Sequence, residues 1–284
     1  MSVKKYFSMV KFAHTIFAMP FAMIGYVLGI GHAEAGFSWR TFILVVLCMV
    51  FARNAAMSFN RYADRKIDAR NTRTSGREIP SGKISPRSAL AFVIVNSLAF
   101  ILACWFLNIL VFCLSPIALL IILGYSMTKK YTALCHFVLG TGLSLAPVGA
   151  YMAVTGAFSW LPLMFSFVVM FWSGGFDIIY ALQDEDFDRQ ERLHSIPAWL
   201  GVGRSLWVSA GTHVICAIIV VATGAMWNFG IWYMAGAVIF LFLLTYQHLI
   251  VRPGDLSRVN AAFFTSNGIA SVVFAVFTIL DLLY

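Results

Sequence analysis

The chain has 284 residues, 61% of them apolar and 11% charged, with a mean hydropathy of +0.84. This composition excludes an ordinary soluble domain, in which about a quarter of the residues are charged. A formal net charge of +8 would suit a nucleic-acid binder, but the basic residues sit in islands between long apolar runs, and that distribution points to a membrane instead.

Nine apolar runs can be read, approximately residues 12–32, 41–60, 88–106, 109–127, 134–155, 160–180, 205–225, 230–249 and 259–281. Each is long enough to cross a hydrocarbon core of about 30 Å. They are apolar all round, without the alternation of barrel strands. The expectation is an all-α polytopic membrane bundle of about nine transmembrane helices, with residues 1–284 forming one domain around a central cavity that opens near the cytoplasmic side. Lys4, Lys5 and Lys11, eight basic residues between 61 and 87, Lys129 and Lys130, Arg189, Arg192 and Arg204, and Arg252 and Arg258 fall on one side, with Arg40 opposite. By the positive-inside rule, the N-terminus is expected in the cytoplasm and the C-terminus outside, as in a bacterial inner membrane.

The first run follows two lysines and precedes Ala33-Glu34-Ala35, which imitates a secretory signal. It is too long for a signal core and further spans follow, so a first membrane helix is expected. His14, Thr15 and Pro20 suggest a kinked helix facing protein. Span two carries Arg53 and Asn54, and an arginine there should face the bundle interior with a partner. At its end, Asn60, Asp64 and Asp68 recur every four residues, within roughly 80° of one helical face. A Gly-, Pro-, Ser- and Arg-rich loop, residues 69–87, follows and should be largely non-helical.

Spans three and four contain no charge and read as scaffold. The next island, residues 125–132, holds Tyr125, Ser126, Lys129 and Lys130. Gly140 and Gly142 suggest close helix packing. Span six ends in a second acidic island, where Asp177, Asp184 and Asp188 fall within roughly 40° of a common face if the helix continues. Cys48, Cys104, Cys113, Cys135 and Cys216 show no paired or metal-ligand spacing and read as packing thiols. His213, His248 and Asn267 read as packed polar residues. Ile79-Pro80 precedes Arg87-Ser88 as Ile196-Pro197 precedes Arg204-Ser205, an echo that fits two related halves, roughly 1–130 and 131–284.

Acids at membrane helix ends repel one another, and a cation resolves that repulsion. Two acidic faces with oxygen ligands and no His or Cys beside them suit a hard cation, magnesium, and argue against zinc. Magnesium is usually held by one or two carboxylates plus a substrate phosphate, so the neighbouring Arg and Lys imply a phosphorylated ligand. An apolar cavity beside such a site implies a lipid diphosphate, whose allylic carbon–oxygen bond could be cleaved with electrostatic assistance. An ion transporter or channel is the alternative of another class, since intramembrane acids can mark an ion path.

The chain resembles the UbiA family of membrane prenyltransferases. Asn60, Asp64 and Asp68 match its first motif, Arg53 the arginine seven residues earlier, and Arg77, Pro80, Ser81 and Gly82 the following loop. Tyr125, Ser126, Lys129, Lys130, Tyr131 and Thr132 match its second loop. Asp177, Tyr180, Asp184 and Asp188 match its second acidic motif, which continues into Ser195 to Pro197. The resemblance is strongest to the 4-hydroxybenzoate polyprenyltransferases and the related futalosine-pathway menaquinone prenyltransferases. It implies Mg2+-dependent transfer of a polyprenyl group from polyprenyl diphosphate to a hydroxyaromatic carboxylate, 4-hydroxybenzoate or alternatively 1,4-dihydroxy-6-naphthoate. In that reading Asn60, Asp64, Asp68, Asp177, Asp184 and Asp188 hold metal, with Asp64, Asp68 and Asp184 closest to catalysis, while Arg53, Arg77, Lys129, Lys130 and Tyr180 bind substrate.

Overall fold

A computed structural model of the chain describes residues 3–10, 17–33 and 36–284. Lys11, His14, Thr15, Glu34 and Ala35 lie outside the described residues. The described residues are helical in chain order: α1 (Val3–Val10), α2 (Met19–His32), α3 (Trp39–Ala63), α4 (Arg65–Asp68), α5 (Pro86–Leu107), α6 (Ile109–Thr128), α7 (Cys135–Thr155), α8 (Trp160–Ala181), α9 (Glu185–Gln190), α10 (Ile196–Met226), α11 (Ile231–Ile250) and α12 (Asn267–Leu283). A 3-10 turn, Leu182–Asp184, joins α8 to α9, and a π turn, Ala261–Ser266, leads into α12.

Among the described residues, eight helices are long and apolar enough to cross a membrane, and α2 is a shorter apolar helix of 14 residues. The expected all-helical membrane bundle is what the chain forms, with about nine apolar segments. Local chemistry sets the ends. The Ser38 hydroxyl accepts from Thr41 N at 3.3 Å, Asn108 Oδ1 from Val111 N at 3.1 Å and Ser195 Oγ from Ala198 N at 3.3 Å, so α3, α6 and α10 each begin on a side chain that satisfies a free backbone donor. The largest departure from expectation is α10, which begins at Ile196, well before residue 205. Gly201 takes a positive φ of 77° inside it, so the helix is kinked between its first turns and the rest.

The helices pack mainly as neighbours, α7 on α8, α3 on α5, α8 on α10 and α11 on α12, with α2 laid against α7. Gly140 permits one such approach, since a Cβ there would lie 2.5 Å from Met170 O. Gly142 does not serve the same purpose: a Cβ there would meet Ile122 at an ordinary 3.7 Å, and the residue lines a cavity instead. The core joining α2, α8, α10, α11 and α12 is aromatic, with Phe21, Phe165, Trp172, Tyr233, Phe240 and Phe274 all fully buried. Ring pairs such as Phe240–Phe274, with centroids 4.9 Å apart, add directional packing to the burial of apolar area. This rigid half supports the second acidic island. The other half, α3, α5, α6 and α7, encloses space.

Candidate active site

That space is an apolar cavity of about 320 Å³. Its wall runs along α6 from Tyr125 to Val111 and along α7 from Leu139 to Ala153, about 20 Å on each helix. Val45, Met49 and Met57 of α3 and Cys104 and Leu107 of α5 complete it, with Arg53 in the wall about 10 Å below Asn60. The charge-free runs 88–106 and 109–127, within α5 and α6, therefore form much of the chamber wall, a larger role than scaffold. The wall is almost entirely apolar over this depth. Conduction of ions would need a line of polar groups along it, so the geometry disfavours a channel.

Above the cavity, α3 runs out through Asn60. Asp64 sits at a break, φ −94° and ψ 2°, before α4. Hydrogen bonds from Asp64 N to Asn60 O at 3.0 Å and from Asp68 N to Asp64 O at 2.8 Å keep the four-residue register across the break. Asn60 Nδ2 donates to Asp64 Oδ2 at 3.1 Å, and Lys130 Nζ lies 4.0 Å from Asp64 Oδ1. Burial, with the Asp68 charge nearby, pushes the Asp64 carboxyl up to about 6 against the pull of Lys130, Lys129 and Arg77. Asp68 turns to Arg77, whose Nη1 donates to Oδ1 at 2.7 Å.

The loop after Asp68 then crosses to the second island. Asn71 Nδ2 donates to Asp184 Oδ1 at 3.0 Å and Arg73 Nε to the same oxygen at 2.9 Å, while Arg73 Nη2 pairs with Asp184 Oδ2. Arg73 also donates to the Tyr180 hydroxyl at 3.2 Å, with its guanidinium 5.4 Å from the centre of that ring. Burial would lower the Arg73 pKa, but Asp184 and Tyr180 outweigh it and hold it above its usual value. Tyr180 is backed by Phe263 of the π turn, ring centroids 4.2 Å apart. At its other end the loop rests on α1, with Ile79 and Ile84 packed against Met9, and Ser8 Oγ donating to Glu78 at 2.5 Å.

The second island does not continue as one helix. The 3-10 turn at Leu182–Asp184 interrupts it, so Asp177, Asp184 and Asp188 do not share the continuous helical face expected of them. Each is held separately. Asp177 Oδ2 lies 2.7 Å from His136 Nδ1, Asp184 takes Arg73, and Asp188 Oδ1 lies 2.7 Å from Lys129 Nζ, with Ser195 Oγ donating to its other oxygen at 2.8 Å. Lys129 is driven down by burial yet held above its ordinary value by Asp188. Adjacent lysines thus reach opposite islands, Lys129 to Asp188 and Lys130 toward Asp64. Arg53 reaches instead to the cavity wall and donates to Val10 O at 3.3 Å.

A model of the UbiA prenyltransferase family matches residues 18–268. The chain belongs to the UbiA prenyltransferase family. It is 30% identical over 236 residues to a 4-hydroxybenzoate octaprenyltransferase of Nitrosomonas eutropha, covering 82% of this chain and 81% of that protein. A protein of the same name from Aeromonas salmonicida is 29% identical over 234 residues, 82% of this chain and 81% of its own. Among solved structures, the apo form of a UbiA homologue from Aeropyrum pernix K1 superposes with a TM-score of 0.85 at 30% identity, covering 94% of this chain and 98% of that one. A UbiA homologue from Archaeoglobus fulgidus bound to DMAPP and Mg2+ shares the fold, with a TM-score of 0.77, 21% identity and coverage of 98% and 99%.

As a UbiA prenyltransferase, the chain presents a donor set suited to a hard divalent cation. Asp68 Oδ2 is buried and, among the described residues, has no hydrogen-bond partner, which is the condition of a carboxylate oxygen that a cation would satisfy. Among the described residues, no three His, Cys, Asp or Glu side chains gather into a ready-made cage. Sparse carboxylates of this kind match a metal that completes its shell with substrate phosphate and water. Four residues of this candidate site carry no signal of their role in the sequence. Arg73 and Asn71 were hidden in a loop of many basic and polar residues. His136 stands beside Asp177, contrary to the expectation that no histidine accompanies the acids, and Ser195 holds Asp188 although its motif alone gave it no role.

Proposed function

We propose that this prenyltransferase moves a polyprenyl group from its diphosphate, in the presence of Mg2+, onto a ring carbon of a hydroxyaromatic carboxylate of the 4-hydroxybenzoate type. The observation that carries this reading is the meeting of Arg73 with Asp184 and Tyr180, which joins the two motif loops into one charged cluster, in a fold whose α3 also lines an apolar chamber below Asn60. The names of the curated relatives and the Mg2+ and DMAPP of the Archaeoglobus homologue support it.

Asn60, Asp64, Asp68, Asp177, Asp184 and Asp188 are the residues that would hold Mg2+. When bound, the ion offsets the charge of the diphosphate and so makes it a better leaving group. Arg77, Arg73 and Lys129 are paired with Asp68, Asp184 and Asp188. In the loaded enzyme these bases, joined by Lys130, turn to the diphosphate oxygens, where they stabilise the charge that develops as the allylic carbon–oxygen bond breaks. The prenyl chain lies in the cavity, whose apolar wall keeps water from the electron-deficient carbon until the aromatic ring attacks. Arg53, in the wall of the cavity, would meet the acceptor's carboxylate. Loss of the proton from the attacked ring carbon restores aromaticity.

A competition assay tests this reading. Purified protein receives octaprenyl diphosphate, Mg2+ and equal amounts of 4-hydroxybenzoate, 1,4-dihydroxy-6-naphthoate and 1,4-dihydroxy-2-naphthoate, and products are identified by mass. The expected product is prenylated 4-hydroxybenzoate that keeps its carboxylate. Prenylation of a naphthoate alone would transfer the reading to that acceptor. Undiminished transfer in excess chelator would remove the metal from the scheme.

A further inference from the structure

His136, in the first turn of α7, is buried, with 2% of its surface exposed, and both its ring nitrogens are engaged. The Ile196 backbone N–H donates to Nε2 at 3.3 Å. That nitrogen must therefore offer a lone pair, which places the ring proton on Nδ1, 2.7 Å from Asp177 Oδ2. The donor pattern fixes the tautomer and points the ring N–H at the carboxylate. Asp177 is partly open, with 23% of its side chain exposed, so the carboxylate is not enclosed by its pairing with His136.

The same short segment braces the rest of the island. Ser195 Oγ donates to Asp188 Oδ2 at 2.8 Å, one residue before the N–H that fixes His136. His194 N donates to Lys129 O at 2.7 Å, tying the segment to the loop whose lysine faces Asp188. Residues 194–196 therefore gather α7, the Lys129 loop and both flanking acids of the second island onto the start of α10. A carboxylate aimed from behind by an imidazole is the arrangement that orients metal ligands and raises their affinity, commonly by about 10- to 100-fold.

We infer that His136 is a positioning residue for Asp177, setting the orientation in which that carboxylate meets the divalent cation. This rests on the metal reading of the two acidic islands. Glutamine can replace both functions of the ring, since its amide N–H can donate to Asp177 and its carbonyl can accept from Ile196 N–H. Leucine can replace neither.

The test measures Mn2+ binding to the full chain in detergent by electron paramagnetic resonance, without substrate, together with the melting temperature. H136L is expected to bind Mn2+ about 10- to 100-fold more weakly than the parent, and H136Q within about threefold of it. In turnover assays, H136L should need more Mg2+ for half-maximal rate while approaching the parent rate at saturation. A folded H136L that binds Mn2+ like the parent would overturn the inference. So would H136Q binding as weakly as D177N, and this second comparison decides the matter even where H136L fails to fold. Equal Mn2+ binding by parent and D64N would instead overturn the metal reading itself.

Discussion

Arg73 reaches from the loop after the first island to Asp184 and Tyr180 of the second, and Asp184 keeps only 12% of its side chain exposed there. Alanine at position 73 removes two charge-assisted contacts and, in the proposed scheme, a donor to the leaving diphosphate. R73A is expected to lower kcat/KM for prenyl transfer by roughly 10²- to 10³-fold. R73K should recover little, because an ammonium cannot reproduce the forked geometry. Rates of the two variants against the parent check this. Asp64 makes a prediction of opposite kind. Its carboxyl is pushed up to about 6, above the ordinary Asp value of about 3.9, so it takes up a proton in mildly acid solution. Cation binding requires the ionised form, so Mn2+ affinity should be steady above pH 7 and fall as the pH drops through 6. The decline should approach about tenfold per unit, and titrations of the parent between pH 5 and 8 would show it. The acids of both islands were legible in the sequence because carboxylates at the ends of apolar helices are costly without a function. Arg73 and His136 were not, since their partners lie 111 and 41 residues away and neither loop composition nor spacing carries that information.

At the scale of the helix, uninterrupted apolar runs defined most spans to within a few residues, because loss of apolarity and the start of a cap coincide at the membrane boundary. The exceptions are places where backbone geometry overrides composition. The early start of α10 depends on the bend at Gly201, and the 3-10 turn at Leu182–Asp184 breaks a periodicity that the spacing of acids appears to continue. Glycines show the same limit, since Gly140 and Gly142 look alike in sequence and only one touches a neighbouring backbone. A Cβ at 140 would stand 2.5 Å from Met170 O, whereas at 142 the nearest atom is 3.7 Å away. G140A should therefore force α7 from α8 and destabilise the fold by about 1–3 kcal/mol. G142A should leave the melting temperature in detergent within about 1 °C of the parent while slightly narrowing the cavity. Equal melting temperatures for G140A and the parent would show that the α7–α8 contact tolerates expansion.

In the whole molecule, one side is a tightly packed aromatic block and the other a chamber. Charge-free spans gave no sign in sequence that they would enclose space, because a chamber wall and a lipid-facing wall have the same composition. The division has a functional sense. The block of α8, α10, α11 and α12 backs Tyr180, while α3, α5, α6 and α7 enclose an apolar chamber in which the proposed function would lay the prenyl tail. Ala118 tests this division. It lines the cavity seven residues before Tyr125 on α6, about 10 Å deeper along that helix. An isoprene repeat advances about 5 Å over four carbon–carbon bonds of about 1.5 Å each, so a geranyl group ends near this level and an octaprenyl group runs well past it. A118W would place a bulky ring across the path of the longer tail only. Geranyl diphosphate should keep a KM within about threefold of the parent value, whereas octaprenyl diphosphate should lose about tenfold or more in kcat/KM, as expected when about 1.4 kcal/mol of tail burial is denied. Equal losses on both substrates would mean that the tail takes another route from the islands, and steady-state rates on the two diphosphates separate these outcomes.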